Sequence, residues 1–385
     1  MEQMTRKRSC RSFQFHLLFS YFLVAVSLPV QAEQTPFDLS RLKAPAGFHI
    51  SLFAEVDGPR MMTFSPGGTL LVSESGEGKV AALPDSRQSG KAGRAMTVLS
   101  GLNEPHGLAF YEGKLYVAEN DKVQRYDWDE KNLRATNPKK IADLPARGGH
   151  STRTLLFHDG KMYVSAGSNC NACVERDPRR GAVMEFNPDG SGQRIFARGL
   201  RNAVGMAVNP KTDTVWVTVN GRDWLGDDQP PETIDDLGKD GGDAGWPYCY
   251  GDRVPDPNFT KPGDDRCKNV LEPKVQMQAH SAPLGLAFYE GSQFPADYQN
   301  NLFVAFHGSW NRSIPTGYKV VRVKLDDKGQ PQGGVQDFIT GFLAPGETKR
   351  GRWMGRPVSI VFGADGAMYL SDDAGGRIYR VTFSK

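Results

Sequence analysis

Glu104 to Trp128 reads EPHGLAFYEGKLYVAENDKVQRYDW. Two apolar runs, GLAFY and KLYVA, flank Glu112-Gly113, and a third, KVQRYDW, follows Asn120-Asp121. Short runs rich in aromatic and β-branched residues, joined by a two-residue glycine turn, spell an antiparallel hairpin that continues into a third strand. The same unit begins again at Gly58 (GPRMMTFSPGGTLLVSESGEGKVAAL), Ser151 (STRTLLFHDGKMYVSAG) and Asn202 (NAVGMAVNPKTDTVWVTVNG). It recurs at Ala282 (APLGLAFYEGSQFPADYQNNLFVAFHG) and Arg356 (RPVSIVFGADGAMYLSDDAGGRIYRV). Tight turns close four of these hairpins, at Gly67-Gly68, Glu112-Gly113, Asp159-Gly160 and Asp365-Gly366. Six like units with almost no helical periodicity predict an all-β, six-bladed β-propeller with four-stranded blades and long top-face loops. A β-sandwich would not explain why the units resemble one another. Closure of the ring is expected to use FHISLFAEV, residues 48–56, as the last strand of the sixth blade, because a propeller must cover its strand edges. The polar, Gly/Pro-rich stretch from about Arg222 to His280 is too polar for a blade and is expected to be a functional loop between blades four and five.

The repeat also locates a site. The first strands end at Phe64, Phe110, Phe157, Val208, Phe288 and Phe362. Seven residues before those ends stand Asp57, Asn103, His150, Arg201, Ser281 and Gly355, and six before stand Gly58, Glu104, Ser151, Asn202, Ala282 and Arg356. Four before stand Arg60, His106, Arg153, Val204, Leu284 and Val358. First strands are innermost in a propeller, so these slots ring one mouth of the central channel. His150 shares its slot with Arg201, and Asn202 shares one with Arg356, so polar groups from several blades converge on one small volume. Arg60 and His106 are expected to be solvated turn residues. The loops after the second strands open on the same side. One of them, NGRDWLGDDQPPE, gathers Asp223, Asp227, Asp228 and Glu232, oxygen ligands suited to a hard cation such as calcium but without EF-hand spacing.

The chain has 385 residues, 39% hydrophobic and 24% charged. Residues 1–32 have the layout of a cleavable secretory signal peptide: Arg6, Lys7, Arg8 and Arg11, then an apolar run, then VQA before Glu33. The remainder, 33–385, is expected to be a single propeller domain in the periplasm, without stable membrane insertion. The leader holds four of the 47 basic residues and one of the 44 acidic ones, so the mature chain is formally neutral and has no nucleic-acid-binding character. Four cysteines lie beyond the leader, an even count that favours disulfides in an exported chain: Cys249 with Cys267 and Cys170 with Cys173. CNACV has haem-attachment spacing, but Val174 stands where histidine is required.

GLRNAVGMAV, GDDQPPETIDD, DAGWPYCYGD, HGSWNR and RPVSIVF, taken together and in order, resemble the soluble quinoprotein sugar dehydrogenases, in particular the L-sorbosone/pyranose dehydrogenase branch. The resemblance spans essentially the whole mature chain. It implies a six-bladed propeller that binds pyrroloquinoline quinone (PQQ) on its top face, with Ca2+ beneath, and passes electrons from a small-molecule sugar to an external acceptor, a cytochrome or the quinone pool. On that resemblance His150 is the catalytic base, and Arg201 and Asn202 contact the quinone oxygens. Arg356 and Arg352 match arginines that hold the cofactor's carboxylates. The carbonyls of Gly221 and Arg222 fall where the family ligates calcium, with Asp227 and Asp228 in the same loop. The glucose-type branch has a lysine in the fifth-blade loop where this chain has HGSWNR, which leaves His307 or Arg312 as its substitute. That branch also has Gly-Arg shortly after its histidine, against Thr152-Arg153 here, and these departures put glucose in doubt as the substrate and leave the preferred sugar open. Rival classes are a calcium-dependent propeller lactonase, which would use side-chain carboxylates such as Asp57 and Glu104, and a non-catalytic binding propeller.

Overall fold

The backbone of each blade follows from alternation. In KLYVA and TVWVTV both faces are buried because neighbouring blades cover both sides of a propeller sheet, so the second strands are the most apolar. A computed structural model describes residues 37–384, all within one compact unit; the proposed leader lies outside the described residues. Among them there is no α-helix. Blade 1 is 59–64, 70–74, 79–83 and 96–99, and blade 2 is 108–111, 114–118, 122–129 and 134–143. Blade 3 is 155–158, 161–166, 182–186 and 194–198, and blade 4 is 203–209, 214–219, 232–236 and 275–277. Blade 5 is 283–288, 302–306, 319–323 and 336–339. Blade 6 is 357–362, 368–372 and 377–383, completed on its outer edge by Phe48–Glu55, which pairs antiparallel with Arg377–Phe383. Consecutive first strands touch all the way round, and the first strand of blade 6 touches that of blade 1.

One expectation needs correction. The stretch 222–280 is not wholly a loop between blades, because it contains the third and fourth strands of blade 4. ETIDD, Glu232–Asp236, was concealed by its charges: Glu232 and Asp235 are buried within the strand. The rest of the stretch adds Gly242–Asp243 in parallel to the outer edge of blade 3, and the Cys249–Cys267 disulfide closes a side loop.

The first strands of blades 1, 4, 5 and 6 each break register near their start, between Pro59 and Met62, Ala203 and Met206, Pro283 and Leu286, and Pro357 and Ile360. A bulge frees backbone groups and re-aims side chains. Hydroxyls of adjacent blades satisfy the freed carbonyls: Thr154 donates to Val204 O, Thr218 to Leu284 O at 2.7 Å, and Ser371 to Arg60 O at 2.7 Å. Gly205 and Gly285 sit where the blades come closest; a Cβ would lie 2.2 Å from Leu284 O and 2.6 Å from Val358 O, respectively. The inner ring is therefore tightly fixed just below the channel mouth.

Apolar contacts run between blades, as where Tyr116, Ala118 and Val123 of blade 2 meet Met162, Val164 and Met184 of blade 3. At the seam, Phe48 of the closing strand packs edge-on against Phe294 (4.8 Å) and Phe338 (5.0 Å) of blade 5. Phe48→Ala is expected to cost about 3–5 kcal/mol, as for other buried aromatic truncations. Denaturant unfolding checks this; a loss under about 1 kcal/mol would mean the closing strand is held by its backbone pairing alone.

Candidate active site

Residues from five of the six blades come together at one channel mouth. A cavity of about 390 Å³, open to solvent, is lined by Arg60, His150, Arg201, Asn202, Asp223, Glu232, His307 and Arg356, among others. Seven of the aligned slot positions line it: Arg60, His150, Arg201, Asn202, Ala282, Leu284 and Arg356.

His150 precedes the first strand of blade 3. Its Nδ1 donates to the carbonyl of Ser168 at 2.8 Å, leaving the Nε2 lone pair free. Burial, and next the Arg201 charge, push its pKa down to about 4. It is neutral at neutral pH.

Arg201 is 6% exposed, and its guanidinium is held from several sides. Nε donates to Asn171 O at 2.8 Å, Nη2 to Asn171 Oδ1 at 3.0 Å and to Asp223 Oδ2 at 3.2 Å, and Nη1 to Asn220 O at 3.2 Å. Asn202 is buried beside it, and its Oδ1 has no hydrogen-bond partner. Gly167 makes room for both neighbours, since a Cβ there would fall 2.4 Å from Asn202 Oδ1 and 2.7 Å from His150 Cβ.

On the opposite wall, Arg356 donates from Nε to His307 O (3.0 Å) and from Nη2 to Gly308 O (2.7 Å). These are carbonyls, so its charge stays available to an anion. Arg60 departs from the solvated-turn expectation: it lines the cavity and pairs with Asp373 at 2.7 Å. His106 departs too, being 1% exposed with Nδ1 at 3.2 Å from Arg153 O. His307 lines the cavity, with Nε2 at 2.9 Å from Asp373 Oδ1. Burial pushes the His307 pKa down to about 4. Burial alone would raise Asp373, but His307 and Arg60 override it and hold the carboxyl well below the usual range.

Other expected residues lie elsewhere. Arg352 is exposed and outside the cavity lining, and Arg312 clamps the 222–232 loop through the Asp227 carbonyl and Asp228 Oδ1 (2.8 Å). Of the two candidates to replace the fifth-blade lysine, His307 lines the cavity and Arg312 does not. Asp227 accepts from Ser313 N at 3.1 Å, so Asp227 and Asp228 tie two loops together. The loop carboxylates facing the cavity are Asp223 and Glu232. Glu232 accepts from Gly221 N at 2.6 Å, and burial pushes its pKa up to about 7. Gly221 lines the cavity, whereas the Arg222 side chain turns away to Asp256 at 2.9 Å. Asp57 and Glu104, the carboxylates a lactonase would use, are exposed and outside this lining. At the rim stand two exposed indoles, Trp224 and Trp310, edge-to-face at 5.6 Å. Both predicted disulfides are formed, Cys170–Cys173 and Cys249–Cys267.

Sequence reasoning passed over Asn171, Asn220 and Asp373. Asn171 was legible only as the interior of a Cys-x-x-Cys run, and Asp373 as part of SDDAGG.

A closed six-bladed ring brings a histidine, arginines and a buried amide together at one channel mouth. The TrAA12-like family model matches residues 42–384, and the chain belongs to that family. An uncharacterized protein of Borreliella burgdorferi is 31% identical over 96% of this chain and 97% of its own length. The pyrroloquinoline quinone-dependent pyranose dehydrogenase of Coprinopsis cinerea is 26% identical over 83% of this chain, which spans about half (52%) of that enzyme. The iodide structure of a Trichoderma reesei carbohydrate-active enzyme of family AA12 has the same fold (TM-score 0.78, 24% identity, 89% of this chain and 98% of that one).

Proposed function

We propose that this protein is a PQQ-dependent dehydrogenase that oxidises an aldose or a sugar aldehyde of the sorbosone type. The observation that carries the reading is the convergence of neutral His150, the Arg201–Asp223 pair, Asn202 and Arg356 on one cavity. The relative from Coprinopsis, named for PQQ and pyranose, supports it.

The residues present fit the cofactor. PQQ is a planar tricarboxylate with quinone oxygens, and the cavity offers the carbonyl-held guanidinium of Arg356, the cation of Arg60 and a buried amide, Asn202, with an unfilled hydrogen-bonding atom. Arg201, Asn202, Arg356 and His307 would hold it, and the Gly221 carbonyl, with Glu232 and Asp223 beside it, would supply oxygen to Ca2+. When bound, PQQ would supply the acceptor for the C–H hydrogen and its bonding electron pair, transferred together as hydride, with a cytochrome or the quinone pool as the later electron sink, and Ca2+ would supply Lewis acidity. His150 Nε2 takes the proton of the sugar hydroxyl as general base. Arg201 keeps a fixed positive charge against the negative charge that develops opposite the base. Arg356 grips carboxylate. Residues 1–32 would deliver the chain to the periplasm, a reading supported by the two disulfides; no helix among the described residues is long and apolar enough to cross a membrane.

The test is reconstitution of purified protein with PQQ and calcium, followed by dye reduction with a panel of aldoses and sorbosone. Reduction that depends on both additions is expected. No reduction with any sugar would overturn the reading.

The pH profile carries a further expectation. His150 must be neutral to accept a proton, and with its pKa near 4 the neutral form predominates above that value. Turnover should therefore persist through the range in which an ordinary imidazole titrates and fall only as pH drops through about 4. A limb centred near 6.5 that survives Glu232→Gln would contradict the burial of this histidine, because the Glu232 carboxyl, pushed up to about 7, lines the same cavity.

A further inference from the structure

We propose that Asn171 is a positioning residue, a neutral fork that holds the Arg201 guanidinium in its working direction and is itself held by the four-residue ring closed by Cys170–Cys173. The inference rests on the reading above that Arg201 serves sugar oxidation.

The geometry is specific. The backbone carbonyl and the side-chain Oδ1 of one residue converge on one edge of Arg201, at 2.8 Å on Nε and 3.0 Å on Nη2. This is the pattern a carboxylate makes with arginine, without the negative charge. Asn171 Oδ1 also accepts from Asp223 N at 2.8 Å, and Nδ2 donates to Asp223 O at 3.1 Å. Asp223 in turn meets Arg201 at 3.2 Å, so the three residues form a closed set. A neutral acceptor fixes direction while leaving the guanidinium its charge, which a second carboxylate would compensate.

The ring explains how an asparagine in irregular chain can do this. Residues 167–181, between the second and third strands of blade 3, form no regular structure. A free loop would give the amide many directions, and closure into Cys170-Asn171-Ala172-Cys173 removes most of that freedom. The ring also reaches the base. Cys170 O accepts from Ser168 Oγ at 2.6 Å, Ser168 O accepts from His150 Nδ1, and Ser168 N donates to Arg201 O at 2.7 Å. One covalent closure therefore orients both the histidine and the arginine.

The test compares wild type, Asn171→Ala and the double variant Cys170→Ser/Cys173→Ser, each with Cys249–Cys267 intact; substitution is used because a reductant would reach both disulfides. The first readout is independent of cofactor and sugar: the imidazole titration of His150, followed by NMR in the apo-protein. The charges facing that ring are Arg201, Arg153 and Arg180. With Arg201 in place the midpoint lies near 4. In both variants it should move upward: Asn171→Ala leaves only the backbone carbonyl of the fork, the double variant loosens the whole of it, and Arg201 is then less narrowly placed beside the ring. The second readout is turnover of reconstituted protein, with kcat falling about ten- to a hundredfold and the sugar KM within about threefold. A variant combining all three substitutions should be no more than about twofold worse than the poorer parent, because ring and amide act as one unit.

If wild type oxidises sugars and Asn171→Ala leaves both the His150 midpoint and kcat unchanged, the positioning role is overturned. If the midpoint moves but no form of the protein oxidises any sugar, the positioning of Arg201 stands and the dehydrogenase reading fails.

Discussion

His150→Ala is expected to lower turnover by about two to four powers of ten, the usual contribution of a positioned general base. The fold should be unaffected. The side chain is half-buried at the cavity wall, its one strong bond is to the Ser168 carbonyl, and removing it empties space that already opens to solvent. PQQ affinity should change little, because His150 is not among the residues proposed to hold the cofactor. The comparison is kcat beside a PQQ titration for variant and wild type. A variant that keeps wild-type turnover would show that the base lies elsewhere; Glu232, whose pKa burial pushes up to about 7, is the next group in the cavity to test.

Arg201→Ala should lower turnover by about two to three powers of ten, the typical result of removing one preorganised donor from a developing oxyanion. A channel-mouth residue would be expected to contribute little to stability, but Arg201 is 6% exposed and paired with Asp223. The alanine variant should therefore also lose about 1–3 kcal/mol, because Asp223 keeps its bond from Asn311 but loses its charged partner. Arg201→Ala/Asp223→Asn isolates the stability part, since Asp223 is itself proposed to supply oxygen to calcium. Removing the uncompensated carboxylate charge should restore much of the thermal stability and none of the turnover. Recovery of turnover in the double variant would mean that the arginine serves the fold and not the reaction.

The propeller was legible because its units repeat. Six copies of a hairpin give six chances to see one pattern, and the two-residue turns mark its phase. The site was legible for the same reason: His150, Arg201, Asn202 and Arg356 occupy corresponding places ahead of innermost strands, and the structure brings them to one cavity. What lay outside the repeat was harder to read. Glu232–Asp236 did not look like a strand because its carboxylates are buried, Glu232 against backbone N–H groups and Asp235 beside Thr233. Asp227 and Asp228 looked like ligands because acidic loops supply ligands, yet Arg312 and Ser313 had prior claim on them from a loop more than eighty residues away. Arg60 looked solvated because its partner, Asp373, is 313 residues distant in sequence. Composition reports how many such groups exist but not which distant neighbour will meet them.

The pairing of Phe48–Glu55 with Arg377–Phe383 imposes an order on the life of the molecule. Among the propeller strands, the first to leave the ribosome is the one that must wait for the last. Until residue 383 is made, the partial ring has two open strand edges, one on the unfinished last sheet and one on an eight-residue segment with nothing to bind. Joining them brings together positions more than three hundred residues apart, the kind of contact that slows folding most. Nascent chains therefore keep an open seam for nearly the whole period of synthesis, and a stop before Arg377 removes the closing partner of Phe48–Glu55 altogether.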